Sequence, residues 1–280
     1  MSFSLSDYDY PFPKELIAQH PLPERSQARM MVIDRSQKNG AQKNWEHHSI
    51  TDFPKYLRAG DVLILNDALA DLVPFGDKLV PPLPPYIKRK KVEDFTENDF
   101  DRYRSVYAKT PGSKAAPTAG FHFTESLLRE IDSIGVEMGH VTLHVDYDTY
   151  KPIRNDDIRE HPMHGERYEI PEVTAEKVLK AKKENRRVIA VGTTSVRVLE
   201  SFAKSGDRQG NTHLFITPGY DFKIINAMLT NFHRPRSTVL VMVSAFAGRE
   251  LIQSAYQEAI LEKYRLFSYG DAMLILQATL

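Results

Sequence analysis

The chain has no cysteine among its 280 residues, which excludes disulfides, a thiol nucleophile and thiolate-bound zinc or iron–sulfur clusters. It also lacks net charge. Its 37 basic and 37 acidic side chains cancel, so no global field draws it to nucleic acid or anionic lipid, and a polyanion must be held by a local patch. Long apolar runs are missing too. The longest, residues 239–248, is interrupted by Ser244 and is far too short to span a bilayer. The first residues, Met1 to Tyr10, have neither the basic nor the apolar segment of a secretory signal. A soluble cytoplasmic protein without membrane contact is the expectation, and a 41% hydrophobic content is enough to fill its core.

The stretch 188–200, VIAVGTTSVRVLE, is the most informative. Four β-formers run into Gly192, three hydroxyl residues follow, and Val196 and Leu199 then share one helix face. This spacing predicts a buried strand, a tight turn and a helix capped by Thr193, Thr194 or Ser195. Such a junction can bind a carboxylate, phosphate or ribose, or it can simply be a well-capped helix start. Further strands are expected at 31–34, 62–65, 105–108, 140–145, 213–216, 238–243 and 272–276, and helices at 125–133, 174–184 and 249–263. Strands alternating with helices predict an α/β domain with its site at the carboxyl ends of strands. One seam reads badly: the strand ending at Asp67 runs, with no turn signal, into residues 68–80, which resemble the tail of a helix.

Several loops concentrate reactive residues. They are 117–124, with Thr118, Gly120 and His122; 231–237, with Asn231, Phe232 and His233; and 268–273, with Tyr269, Gly270 and Asp271. His161, His164 and Glu166 invite a metal reading, but Pro162 and Gly165 break the helix that would present them together, and no metal site is expected. The run Lys88, Arg89, Lys90 is the expected contact for RNA phosphates if RNA is the partner, and otherwise a solvated face.

Taken together, PKELIAQHPLPER at 13–25, AGDVLILND at 59–67, PLPPYI at 82–87, AAPTAGFHF at 115–123, VTLHV at 141–145, Met163-His164, GTTSVR at 192–197, TNFH at 230–233, VSAFAG at 243–248 and YRLFSYGDAM at 264–273 resemble the S-adenosylmethionine:tRNA ribosyltransferase-isomerases of queuosine synthesis. The likeness runs from end to end, with two departures. The family carries a small β-barrel inserted after the Asn-Asp strand end, and here it is missing near Asp67–Ala68. Either the barrel has been lost or the segment forming it is absent from the sequence as given. The abrupt seam favours the second. In addition, Asp146 and Asp148 stand where the family prefers small residues.

The resemblance implies a mixed, barrel-like α/β main domain formed by residues 1–67 and 86–280, with 68–85 flanking the missing insert. It implies transfer and isomerisation of the ribosyl unit of S-adenosylmethionine onto 7-aminomethyl-7-deazaguanine in tRNA, giving epoxyqueuosine and releasing adenine and methionine. S-adenosylmethionine is then a co-substrate, no separate cofactor is expected, and a monomer is expected. Gly192, Thr193, Thr194 and Ser195 are expected to hold the methionine carboxylate or ribose, and Arg197 a carboxylate or phosphate. Asn231, Phe232 and His233 are candidates for the adenine edge or a proton transfer. Asp271 is a candidate base or sulfonium partner, His164 and His122 are further acid–base candidates, and Thr118, Gly120, Tyr269 and Gly270 complete the expected site. The alternative is a diverged relative that binds tRNA or a nucleoside without turnover.

Overall fold

The computed structural model describes residues 3–36 and 44–276. In chain order its strands are β1 (Arg29–Asp34), β2 (Trp45–Ser49), β3 (Val62–Asn66), β4 (Ala68–Ala70), β5 (Val73–Phe75), β6 (Lys78–Val80), β7 (Thr110–Ser113), β8 (Glu137–Leu143), β9 (Glu166–Glu169), β10 (Val188–Val191), β11 (Gln209–Thr212), β12 (Ala227–Asn231) and β13 (Ala272–Leu276). The helices are α1 (Glu97–Arg102), α2 (Glu125–Ser133), α3 (Glu172–Lys183), α4 (Gly192–Ser205), α5 (Thr238–Ala247) and α6 (Arg249–Leu261).

Nine strands make one mixed sheet in the order β11-β9-β8-β3-β10-β12-β13-β1-β2, with β11 and β2 at its edges. Both faces are covered. In β3, Val62 and Ile64 enter one hydrophobic core while Leu63 and Leu65 enter another, and in β10, Val188 and Ala190 alternate with Ile189 and Val191 in the same way. That explains the unbroken apolar runs, since a strand buried on both faces has no polar side to show. The mixed α/β class read from the sequence is the class of the fold.

The sheet reverses direction partway across. β8, β3, β10 and β12 run parallel, but β12 pairs antiparallel with β13, with Asn231 opposite Ala272. β1 then runs parallel to β13, with Met30 beside Ala272. One edge of the sheet therefore gathers the carboxyl ends of β3, β8, β10 and β12 together with the amino ends of β13 and β1.

Three expected strands fold otherwise. Residues 238–243 belong to α5, whose nearly all-apolar sequence is buried around most of its circumference and whose start is capped by Ser237 Oγ accepting the Leu240 N–H at 3.3 Å. A short apolar run of this kind fits a buried strand and a buried helix equally well. Residues 105–108 form a turn, and 213–216 run on outside the sheet after β11.

The seam also reads differently in three dimensions. Asn66 Oδ1 accepts the N–H groups of Ala68 and Leu143, both at 3.1 Å, so the chain bends at the end of β3 and continues as β4 beside β7. Residues 73–80 are not a helix tail but the hairpin β5–β6, turning at Gly76, whose φ is 64°. Gly76-Asp77 between two extended triplets is a two-residue hairpin signal. The connection has ordinary turn chemistry, which removes the argument for a segment missing at Asp67–Ala68.

Candidate active site

A cleft opens at the strand-end edge and holds about 790 Å³ of empty space including its mouth. Thr118, Gly192, Thr193, Thr194, Asn231, Phe232 and His233 line it, so the loops after β10 and β12 and the turn before α2 converge as the sequence suggested. Tyr86, Thr149, Tyr150, Lys151, Arg234, Phe267 and Ser268 also line it, and none of these had been singled out for the site. Tyr86 stood in the matched PLPPYI segment, and Phe267 and Ser268 in YRLFSYGDAM, so motif membership was the only available signal.

Each polar group in the cleft has a physical reason for its position. Gly192 takes a φ of 85°, which lets β10 turn directly into α4. The expected hydroxyl cap does not form. Val191 occupies the cap position, no side chain caps the helix, and Ser195 Oγ bonds back to the Val191 carbonyl at 2.7 Å. The first turn of α4 therefore presents its amide donors toward the cleft without a side-chain acceptor. Thr194 Oγ1 is buried and has no partner.

Asn231 ties three segments together. Its Oδ1 accepts the Thr118 hydroxyl at 3.1 Å, and its Nδ2 lies 3.3 Å from the Phe267 carbonyl and 3.2 Å from His122 Nε2. His233 Nε2 lies 3.0 Å from Thr230 Oγ1, and its backbone N–H donates to the Tyr256 hydroxyl at 2.8 Å. Burial pushes the His233 imidazole down to about 3, so the ring is neutral and resists protonation. At the mouth, Tyr86 meets Tyr150 and Phe267 edge-on, and Arg234 donates to the Tyr150 carbonyl at 3.0 Å.

Other expected site residues lie elsewhere. Asp271 is buried, and its oxygens accept the backbone N–H groups of Arg29 and Arg265 at 2.9 and 2.8 Å, which fixes the loop entering β13. Gly120 is glycine because a Cβ there would overlap the Tyr107 hydroxyl and Ser105, and Gly270 because a Cβ would overlap the Arg265 carbonyl. Tyr269 is buried and donates to Asp99 at 3.2 Å. His122 and Tyr269 line a separate pocket on the far side of the Ser268–Gly270 turn.

Arg197 forms a buried ion pair with Glu166, which also accepts the Thr149 hydroxyl and the Asp146 N–H, each at 3.0 Å. Burial alone would raise Glu166, but His164, Arg197 and the Asp146 amide outweigh it and hold the carboxyl below the usual glutamate value. His164 Nε2 sits 3.2 Å from the same carboxylate. Among the described residues no group of His, Cys, Asp and Glu is arranged to hold a metal ion, and His161 packs edge-on against Phe215. Arg197, Glu166, Thr193 and Thr194 line a smaller cavity that adjoins the main cleft.

The basic run is not a surface comb. Arg89 is nearly fully buried and pairs with Asp99 at 2.8 Å, Lys88 Nζ donates to the Pro85 carbonyl at 2.8 Å, and Lys90 is exposed.

Fold and cleft together define a nine-stranded mixed α/β protein with a site at the strand-end edge of its sheet. The chain matches the family described as queuosine biosynthesis protein over residues 5–74 and 74–275, and it belongs to that family. It is 40% identical to the S-adenosylmethionine:tRNA ribosyltransferase-isomerase of Carboxydothermus hydrogenoformans, over 97% of this chain and 99% of the relative. To the protein of the same name from Burkholderia cenocepacia it is 37% identical, over 98% and 97%. The crystal structure of S-adenosylmethionine tRNA ribosyltransferase from Thermotoga maritima superposes with a TM-score of 0.68 at 31% identity, covering 96% of this chain and 100% of that one. The chain is thus an enzyme of queuosine biosynthesis, a tRNA modification. The alignment with the Carboxydothermus protein runs over 347 positions, more than the 280 residues here, and the family match is interrupted at Pro74, inside the β5–β6 hairpin. The break thus lies a few residues beyond Asp67–Ala68. No helix among the described residues is long and apolar enough to cross a membrane.

Proposed function

We propose that the protein transfers and isomerises the ribosyl moiety of S-adenosylmethionine onto 7-aminomethyl-7-deazaguanine in tRNA, giving epoxyqueuosine-tRNA and releasing adenine and methionine. The observation that carries this reading is the near full-length match to enzymes of that name, on a chain whose matched motifs line one cleft. S-adenosylmethionine is the co-substrate and no other cofactor takes part. The protein acts as a monomer in the cytoplasm.

The chemistry asks for a base near the carbon that the sulfonium acidifies, a donor for the departing adenine, and an amine nucleophile without its proton. His233, held neutral at working pH by burial, is suited to hydrogen-bonding the substrate through its ring rather than to storing a proton. The amides at the start of α4 and the unpartnered Thr194 hydroxyl are suited to a carboxylate or to ribose hydroxyls. Asn231 acts as a brace, because its amide is already spent on Thr118, Phe267 and His122. The test is to incubate the protein with S-adenosylmethionine and tRNA with or without the aminomethyl-deazaguanine base. Adenine and methionine should appear in equal amounts only with the modified tRNA. Tight tRNA binding without either product would instead identify a non-catalytic relative.

A further inference from the structure

Apart from the run at 88–90, a second group of cations gathers from three separate parts of the chain. A shallow pocket of about 290 Å³, sharing Ser268 with the main cleft, is lined by Arg25, Arg102, His122 and Tyr269 among others. Arg25 is fixed by the carbonyls of Phe121, Asp101 and Arg104 at 2.9, 3.0 and 2.8 Å. Arg102 is fixed by those of Leu22 and Pro23 at 2.6 and 2.9 Å, and Arg265 by that of His20, next to the pocket wall.

Among the described residues none of these three guanidiniums has a carboxylate within ion-pair distance, whereas the buried side chains of Arg89 and Arg197 each have one. Asp271 acts on Arg265 with oxygens already bound by backbone amides, and Glu24 lies in the pocket lining without ion-pairing to any of the three. Burial and the charges of Arg102 and Arg104 push Arg25 down to about 10, and burial with Arg25, Arg265 and Arg102 pushes His122 down to about 4. Like charges held together by carbonyls raise the energy of the folded chain unless an anion joins them. Two N–H-bearing nitrogens, Arg102 Nε and Arg265 Nη1, are buried and have no partner at all.

We propose that this arginine pocket is an oxyanion site that takes a phosphodiester group of the RNA substrate while the target base occupies the adjoining cleft. The inference rests on the RNA substrate of the proposed function. The pocket is separated from the cleft only by the turn that carries Ser268, and a base within a polynucleotide brings phosphates to both sides of itself. Guanidiniums pre-set by backbone carbonyls are suited to phosphate oxygens.

The experiment compares wild type with Arg102→Gln, Arg265→Gln and the double variant, measuring tRNA Kd against KCl concentration, with Tm and S-adenosylmethionine binding as controls. The expected result is roughly tenfold weaker tRNA binding at low salt for the double variant and a salt slope reduced by about one. S-adenosylmethionine binding and Tm should be retained. An unchanged slope in folded variants overturns the proposal, and if wild type still turns over modified tRNA, the functional reading stands without it.

If the variants fail to fold, His122 imidazole resonances of the wild-type protein report on the same pocket. A shift on adding an anticodon-loop RNA supports the proposal. A shift with inorganic phosphate but not with RNA assigns the pocket to a free anion and overturns it, as does no shift with either. A wild-type protein that binds no tRNA overturns the functional reading together with this inference.

Discussion

The two halves of the sheet reach the same edge by opposite routes, and they supply different things there. From β8 to β12 the chain arrives at the edge on strand ends, and it delivers Thr193, Thr194 and His233, which face the cleft. From β13 to β1 it departs from the edge, and the loops before these strands deliver Arg25, Arg265 and Asp271. Two neutral histidines stand near this edge, His233 just after β12 and His122 in the turn before α2. His233 is neutral through burial alone, whereas His122 is neutral through burial and the field of three arginines. The lesson is that a reversal in strand direction lets one edge combine a reactive cleft with a cationic seat, because strand starts and strand ends carry loops from unrelated parts of the sequence.

The sharpest way to break this arrangement is at the outer support of the first half. Glu166→Ala would leave Arg197 buried without its carboxylate, and it should cost about 3–5 kcal/mol, read by urea denaturation. Because Glu166 is held below its ordinary value of 4.5, its contribution is complete above that pH and is lost as the pH falls through the lowered value. Acid unfolding of the variant should accordingly be less steep there than that of wild type.

The next test separates the halves by the kind of damage done. His233→Ala should lower turnover by about 10²-fold or more with little change in unfolding midpoint. Asp271→Ala, which strips two backbone amides of their acceptor, should cost stability first, about 1–3 kcal/mol per amide. Equal effects of the two substitutions on turnover and stability would erase the distinction. Thr194→Val should raise KM for S-adenosylmethionine by up to about tenfold while Thr194→Ser restores it, in steady-state assays.

A smaller effect is common to both histidines. The unfolded imidazoles take up protons near their ordinary value of 6.5, while folded His233 and His122 resist until about 3 and about 4. Stability therefore falls as the pH drops below 6.5, and replacing either histidine with Gln should flatten that slope in a pH series of Tm values. The smallest effect expected is that of Lys88→Glu. Its amine bonds to the Pro85 carbonyl, and the tRNA Kd should change less than twofold.

The sequence made the central strands legible because Val62–Asn66 and Val188–Val191 are buried on both faces and leave no ambiguity of face. It made the cleft legible because GTTSVR and TNFH each sit directly at the end of such a strand. It misled at α5, where the apolar run lacks a periodicity that would separate helix from strand, although Ser237 before it and Gly248 after it were available as end signals. Asp271, Gly120 and Tyr269 have residue types that suit chemistry but lie off the cleft lining, where their partners are backbone amides, packed side chains and Asp99. The arginine pocket was invisible for a simpler reason: Arg25, Arg102 and Arg265 form no run, and only the fold brings them together.

The pairing of β1 with β13 has one more consequence, for synthesis. An early strand waits for the last described one, so the sheet stays unfinished while nearly the whole chain emerges from the ribosome. A nascent chain truncated before Ala272 has no partner for that side of Met30 and no anchored 267–271 loop. It would therefore carry an open strand edge and lack the cleft wall formed by Phe267 and Ser268.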